Sequence, residues 1–144
     1  MNMKIKNMEI RAIEARRYIK DLSRPMNIRI DHNSSVTLFS VVEKNVANVE
    51  FEYTASFGPV GIIKFEGGFI YEGNDAEEIA KKWQSKKNMP NEVASQIHTA
   101  ILHFCVPEAV FIARELKLPP PIPLPQVKFE AGKGKKDMFG PEVV

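Results

Sequence analysis

The stretch Val49-Glu50-Phe51-Glu52-Tyr53-Thr54-Ala55-Ser56-Phe57 decides the fold of this chain. Apolar and polar side chains alternate without a break, which is typical of a strand with one face on a core and the other in water. Gly58-Pro59 marks a turn, and the alternation resumes from Ile62 to Tyr71. The two segments are therefore predicted to be adjacent antiparallel strands. The aromatic residues expected on their helix-covered face are Phe51, Tyr53, Phe65 and Phe69.

Further strands are predicted before this pair in the sequence. Apolar and polar residues alternate from Met26 to Asp31, and Val36 to Val42 is rich in β-branched residues between Ser34-Ser35 and Asn45. Met8 to Leu22 fits either a helix or a bulged strand, and we predict a strand. Gly67-Gly68 interrupts the second strand of the central pair and indicates a bulge or a close backbone approach.

The second half of the chain is predicted to be helical. Asp75-Ala76-Glu77-Glu78 has the pattern of a capping box at the start of a short helix that places Ile79 and Trp83 on one face. From Asn91, apolar residues recur at helical spacing, and Pro107 is expected to kink that helix or to begin a second one. Strands followed by helices indicate an α+β domain, with an antiparallel sheet packed against helices.

Composition and charge indicate an ordinary globular protein. The chain has 144 residues and a formal net charge of +2, which is too balanced to imply nucleic acid by itself. We predict one domain over residues 1–129 and a flexible basic tail over residues 130–144. The single cysteine, Cys105, indicates a reducing compartment. No apolar run approaches the ~20 residues of a membrane span, and we expect a cytoplasmic protein.

The segment Leu118-Pro-Pro-Pro-Ile-Pro-Leu-Pro-Gln-Val-Lys-Phe129, called the strap below, follows the last helix. Three consecutive prolines end a helix because proline lacks the backbone N–H and clashes with the preceding turn. Beyond them, Ile122 and Leu124 alternate with prolines, so an extended chain would present both apolar side chains on one side. The strap is therefore predicted to lie over a hydrophobic surface.

No catalytic or metal-binding constellation is recognised in the sequence. His98 and His103 are separated by about 140° on a helix, so they do not converge on one ion. Cys105 lies two residues from His103, and residues at that spacing point to different faces. We therefore predict that the protein is not an enzyme and needs no cofactor or metal.

Taken in order, these segments resemble the SecB family of export chaperones. The resemblance rests on Ile63-Lys-Phe-Glu-Gly-Gly-Phe-Ile70, Met89-Pro90-Asn91, Ala113-Arg114-Glu115 and the strap end Leu124-Pro125-Gln126-Val127-Lys128-Phe129. It covers about 110 residues, from Met8 to Phe129, and the order of several short motifs carries it.

The resemblance implies a four-stranded antiparallel sheet with two helices, and an ATP-independent holdase that binds unfolded polypeptides in apolar grooves. It also implies a homo-oligomer, a dimer or a tetramer, which agrees with a long helix that is apolar over more than one stripe. The family's acidic contact for the SecA motor has no secure counterpart here, so coupling to a SecA-type motor is not expected. The residues expected to bind clients are Trp83, Phe111, Ile122 and Leu124.

Two other classes of function fit the same pattern. A small nucleic-acid-binding α+β domain would need a basic solvent face on the sheet, against which Glu50 and Glu52 argue. A structural oligomerisation module would share the apolar helix but would bind no clients. Within the chaperone class, the sequence does not choose between exported proteins and antitoxins as clients.

Overall fold

The computed structural model describes residues 3–21 and 27–129, and in them one four-stranded antiparallel sheet carries two helices. The strands lie in the order β1-β4-β3-β2, so that β1 and β2 form the edges. The elements are β1 (Lys4–Arg17), β2 (Asp31–Glu43), β3 (Val46–Ser56), β4 (Gly61–Glu72), α1 (Ala76–Lys86) and α2 (Asn91–Glu115). The predicted α+β class and the four-stranded antiparallel sheet are confirmed. The predicted tail at residues 130–144 lies outside the described residues.

Strands β3 and β4 are adjacent and antiparallel, as predicted, and they form the centre of the sheet. They pair without a register shift from Val46 opposite Glu72 to Ser56 opposite Ile62. Directly opposed residues share a face, so the alternation of each strand adds to that of the other. The residues buried on the shared face are Ala47, Val49, Phe51, Tyr53, Ala55, Ile63, Phe65, Phe69 and Tyr71.

Both helices cover this aromatic face. Helix α1 contacts β2 and β3, whereas α2 contacts all four strands. Helix α2 presents a stripe of buried residues at every fourth position: Val93, Ile97, Ile101, Cys105, Ala109 and Ala113. Pro107 lies inside α2, which runs as one helix from Asn91 to Glu115.

The glycine pair in β4 allows a close backbone approach, and the bulges lie in the neighbouring strand. The register of β1 against β4 shifts between Lys6 and Glu9 and again between Ile10 and Ala12. A Cβ on Gly67 would overlap the carbonyl oxygen of Glu9 and stand 2.9 Å from Cζ of Phe51. The bulge predicted as one alternative for β4 is therefore found in β1, which bends around the glycines.

Three local predictions are wrong. Residues 27–30 are not a strand, because β3 ends at Ser56, opposite Asp31, and leaves them no partner. Ser34 and Ser35, predicted to precede a strand, lie within β2. The capping box does not form, because Asp75 makes no side-chain cap and its Oδ1 instead accepts a hydrogen bond from the Tyr71 hydroxyl at 2.9 Å.

The strand predicted for the ambiguous N-terminal segment is confirmed for residues 8–17, which belong to β1.

We predict that Gly67→Ala lowers the free energy of unfolding by about 1–3 kcal/mol, because the added methyl overlaps the backbone of β1. Urea denaturation at fixed protein concentration measures the change. The control is Gly58→Asn, whose side chain enters open space at φ +61°, a conformation that asparagine tolerates. Equal stability losses in the two variants would contradict the steric explanation.

Candidate functional site

The strap begins where α2 ends in a tight backbone turn. Lys117 adopts a left-handed conformation at φ 57°, and the N–H of Leu118 donates to the carbonyl of Ala113 at 2.8 Å. This is the hydrogen bond of a Schellman motif, which ends a helix and turns the chain. The Leu118 side chain is buried and its methyl groups lie 3.1 and 3.3 Å from the position of a Cβ on Gly61. The strap is therefore anchored at its first residue.

From Leu118 the strap crosses one end of the sheet. Leu118 lies beside Gly61, the first residue of β4, and Pro121 lies beside His32, near the start of β2. Strand β3 separates β4 from β2, so the crossing spans two inter-strand spacings, or about 10 Å. Three residues of extended chain reach about that distance. The strap therefore reaches from β4 to β2 within three residues, and its backbone bends at Pro121 and Ile122.

His32 provides the second anchor through both of its ring nitrogens. Nε2 lies 2.8 Å from the carbonyl oxygen of Pro121, and Nδ1 lies 2.7 Å from the hydroxyl of Tyr53. A carbonyl oxygen only accepts, so Nε2 carries the proton and donates to Pro121. In the neutral ring Nδ1 then accepts from Tyr53. Burial raises the pKa of Tyr53, which keeps the phenol protonated and able to donate.

A second histidine joins β2 to α2. Ser34 Oγ lies 2.6 Å from Nδ1 of His98, and burial lowers the pKa of His98. Residues 32 and 34 are two apart on one strand, so both side chains point towards the helix-covered face. Ser34 and His98 are 64 residues apart, and no local pattern in the sequence predicts that their side chains meet.

The strap beyond Pro121 and the outer side of α2 expose apolar side chains. Leu124 is 58% exposed and Phe129 is 83% exposed, in a segment that forms neither helix nor strand. On α2, Phe104 and Phe111 are seven residues apart, which places them on one side of the helix. Phe111 is 55% exposed. Exposed apolar residues of this size in contiguous segments indicate a binding surface.

Of the four residues predicted to bind clients, three are exposed and one is buried. Phe111, Ile122 and Leu124 are accessible, whereas Trp83 is 8% exposed and belongs to the hydrophobic core. The Nζ atom of Lys87 lies 4.0 Å from the centre of the Trp83 ring and shields it further. Trp83 faces the sheet because it shares one side of α1 with Ile79. The interpretation of Trp83 as an exposed contact is therefore corrected.

The described residues 3–21 and 27–129 contain no group of three or more His, Cys, Asp or Glu side chains that could hold a metal ion. Cys105 is buried on α2, and burial raises the pKa of its thiol to about 12. The nucleophilic form of cysteine is the thiolate. Cys105 is therefore protonated at neutral pH and packs as a small apolar residue.

Helix α2 is long and apolar enough, by length and composition, to cross a membrane. The expectation that no apolar run reaches that length is therefore wrong on these two criteria. The same test is passed by core helices, and α2 buries its every-fourth-residue stripe against the sheet. Another side of α2 exposes Phe104 and Phe111, so the sheet covers the helix only in part.

Comparisons with known proteins show similarity at the level of the fold. No protein-family model matches the chain, and no curated protein sequence matches it. Among solved structures, the fold is similar to that of the Mycobacterium tuberculosis Rv1957 SecB-like chaperone in complex with a ChAD peptide from the Rv1956 HigA1 antitoxin. The match has a TM-score of 0.54 and 13% sequence identity, and it covers 88% of each chain. The resemblance to the SecB fold is thereby confirmed.

We predict that His32→Leu lowers the free energy of unfolding by about 1–3 kcal/mol, because the buried Tyr53 hydroxyl loses its acceptor. Adding Tyr53→Phe to that variant should cost much less than it costs in the parent, because the unpaired hydroxyl disappears with it. A double-mutant cycle in urea, at one protein concentration, measures the coupling. Additive effects would show that the two side chains do not act as a pair.

Proposed function

We propose that this protein is an ATP-independent holdase chaperone that binds unfolded polypeptide segments on the exposed apolar surface of its strap and α2. The observation that carries the proposal is the exposed second half of the strap. A carrier of unfolded chains needs apolar surface that remains accessible in the folded state, and Leu124, Val127 and Phe129 provide it. Apolar burial is non-directional, so such a surface tolerates many client sequences.

Proline explains how this surface stays exposed. Proline fixes φ near −65°, so a proline-rich segment remains extended without internal hydrogen bonds. Pro121, Pro123 and Pro125 alternate with Ile122 and Leu124. The apolar side chains are therefore held on an extended backbone that does not collapse around them, and a client meets them with little further loss of conformational entropy.

The similar fold of a peptide-bound SecB-like chaperone supports a polypeptide as the ligand. The proposed contact residues are Phe111, Ile122 and Leu124, together with Val127 and Phe129, which share their exposure. Trp83 is left out because it lies in the core. We propose that the protein is soluble and works in the cytoplasm without a cofactor.

We also propose self-association, as a dimer or tetramer. The buried stripe of α2 meets its own sheet, but Phe104 remains exposed on a second stripe. Leu102, Val106, Val110 and Ile112 beside it are only half-buried. Burying such a face against a second copy removes apolar area from water, at about 25 cal/mol per Å².

The charges on the outer face of the sheet argue against nucleic-acid binding. Lys64 lies 3.4 Å from a carboxylate oxygen of Glu52, and Arg11 lies 3.7 Å from one of Glu50. Phosphate binding needs uncompensated positive charge, and these two basic side chains lie beside acidic ones. A structural module without clients predicts the same fold, and only a client-binding assay separates it from a holdase.

We predict that Leu124→Asp weakens binding of an unfolded polypeptide about tenfold, because a client that covers the site must desolvate the carboxylate. Leu124 is 58% exposed, so the melting temperature should change little. Suppression of aggregation of an unrelated unfolded protein, without nucleotide, measures the effect. The matched control is Gln126→Asp, which adds the same charge to the same segment without removing an apolar side chain. Equal losses in both variants would assign the effect to charge alone.

We further predict that Phe104→Ser shifts the protein towards the monomer, because the second stripe of α2 loses its exposed aromatic ring. Sedimentation velocity at tens of micromolar measures the assembly. Substitution of the exposed residues Gln84 and Ser85 of α1 by alanine serves as the control, and it should leave the assembly unchanged. A parent protein that is monomeric at these concentrations would refute self-association.

A further inference from the structure

The hydrogen bond that holds the strap at Pro121 has its donor on the sheet. Pro119, Pro120 and Pro121 have no backbone N–H, so this part of the strap offers only carbonyl oxygens. A segment without donors cannot pair with the edge strand β2 as another strand would. The carbonyl of Pro121 receives its donor from the Nε2–H of His32.

The direction of this hydrogen bond is set from inside the core. Tyr53 is fully buried, and its hydroxyl lies 2.7 Å from Nδ1 of His32. A phenol that donates to Nδ1 leaves the ring proton on Nε2, which is the nitrogen that faces Pro121. Tyr53, His32 and Pro121 therefore form a chain of hydrogen bonds in which each member fixes the next.

The position of this chain divides the strap into two parts. Leu118 and Pro121 are buried, whereas every residue from Ile122 to Phe129 is exposed. The exposed part begins directly after the residue that His32 holds. The direction in which Ile122 and Leu124 leave the sheet is therefore set by the hydrogen bond to Pro121.

We propose that His32 is a positioning residue for client binding: it fastens the strap at Pro121 and so holds the apolar side chains of Ile122 and Leu124 in the arrangement that a client meets. The proposal rests on the proposed function, since it assigns to His32 the pre-organisation of that same surface. Without the hydrogen bond the strap, including Leu118, detaches from the sheet more often, and binding then has to order a loose segment, which weakens affinity.

Trypsin gives a direct measure of strap attachment with an internal reference. Cleavage after Lys128 lies in the exposed part and proceeds whether or not the strap is attached. Cleavage after Lys117 requires Leu118 to leave its buried site. The ratio of the two initial rates, followed by mass spectrometry, therefore reports detachment. Client affinity is measured separately with fluorescently labelled, reduced and carboxymethylated α-lactalbumin, which stays unfolded in native buffer.

In full-length protein we expect His32→Leu to raise the Lys117 to Lys128 cleavage ratio about fivefold, as expected for the loss of one net hydrogen bond. We expect client affinity to fall by a similar factor. His32→Gln should restore both quantities to within about twofold of the parent, because its amide carries an acceptor for Tyr53 and a donor for Pro121. Tyr53→Phe, which keeps the buried ring, should raise the ratio in the same direction.

Three outcomes would overturn the proposal. An unchanged cleavage ratio in His32→Leu and Tyr53→Phe would show that His32 does not fasten the strap. A raised ratio with parental client affinity would reduce His32 to a structural residue. Failure of the parent to bind the unfolded probe would overturn the proposed function and the positioning role together, and the cleavage ratio would still report the attachment of the strap independently.

Discussion

The pairing of β3 with β4 is the constraint on which the rest of the structure depends. Its register runs from Val46 opposite Glu72 to Ser56 opposite Ile62 without a shift. A slip of one residue would turn every aromatic side chain of one strand into solvent. The unbroken register therefore produces one aromatic face, and that face determines where both helices pack. The rings of Tyr53 and Phe65 stack across the pair with centroids 5.7 Å apart.

The edge strands adapt to this central pair. Strand β1 takes two register shifts against β4, and the second is opposite Gly67, where the two backbones approach closely. Bulges concentrate at sheet edges because an edge strand has neighbours on one side only and can bend. At the other edge, β2 begins opposite the last residue of β3. The polar residues His32 and Ser34 then become the attachment points for the strap and for α2.

The elements that the sequence predicts well are those whose pattern is local. Period-two alternation in β3 and β4 predicts both strands and their buried face, and helical spacing places Ile79 and Trp83 together on α1. The helical spacing predicts the side of α1 on which Trp83 lies. It does not predict that Trp83 is buried, because the burial depends on the sheet against which that side packs. His32-Asn33-Ser34-Ser35 looks like a turn by composition, yet it lies within β2. The side chains of Ser34 and His32 contact residues that are 64 and 89 positions away in the sequence. No local pattern encodes contacts of that separation.

The contact between the strap and His32 follows from the three consecutive prolines of the strap. Proline lacks a backbone N–H, so Pro119, Pro120 and Pro121 offer only acceptors to a neighbouring strand. At Leu118, where α2 ends, the strap is held by its buried side chain and by the hydrogen bond from its N–H to the carbonyl of Ala113. Beyond that point a side chain of the sheet has to donate the hydrogen bond to a strap carbonyl, and that side chain has to be held in one orientation. The buried hydroxyl of Tyr53 orients His32, and Tyr53 is itself fixed by the central strand pair. The register of β3 against β4 thus determines where the exposed strap lies, because it places Tyr53, Tyr53 orients His32, and His32 holds Pro121.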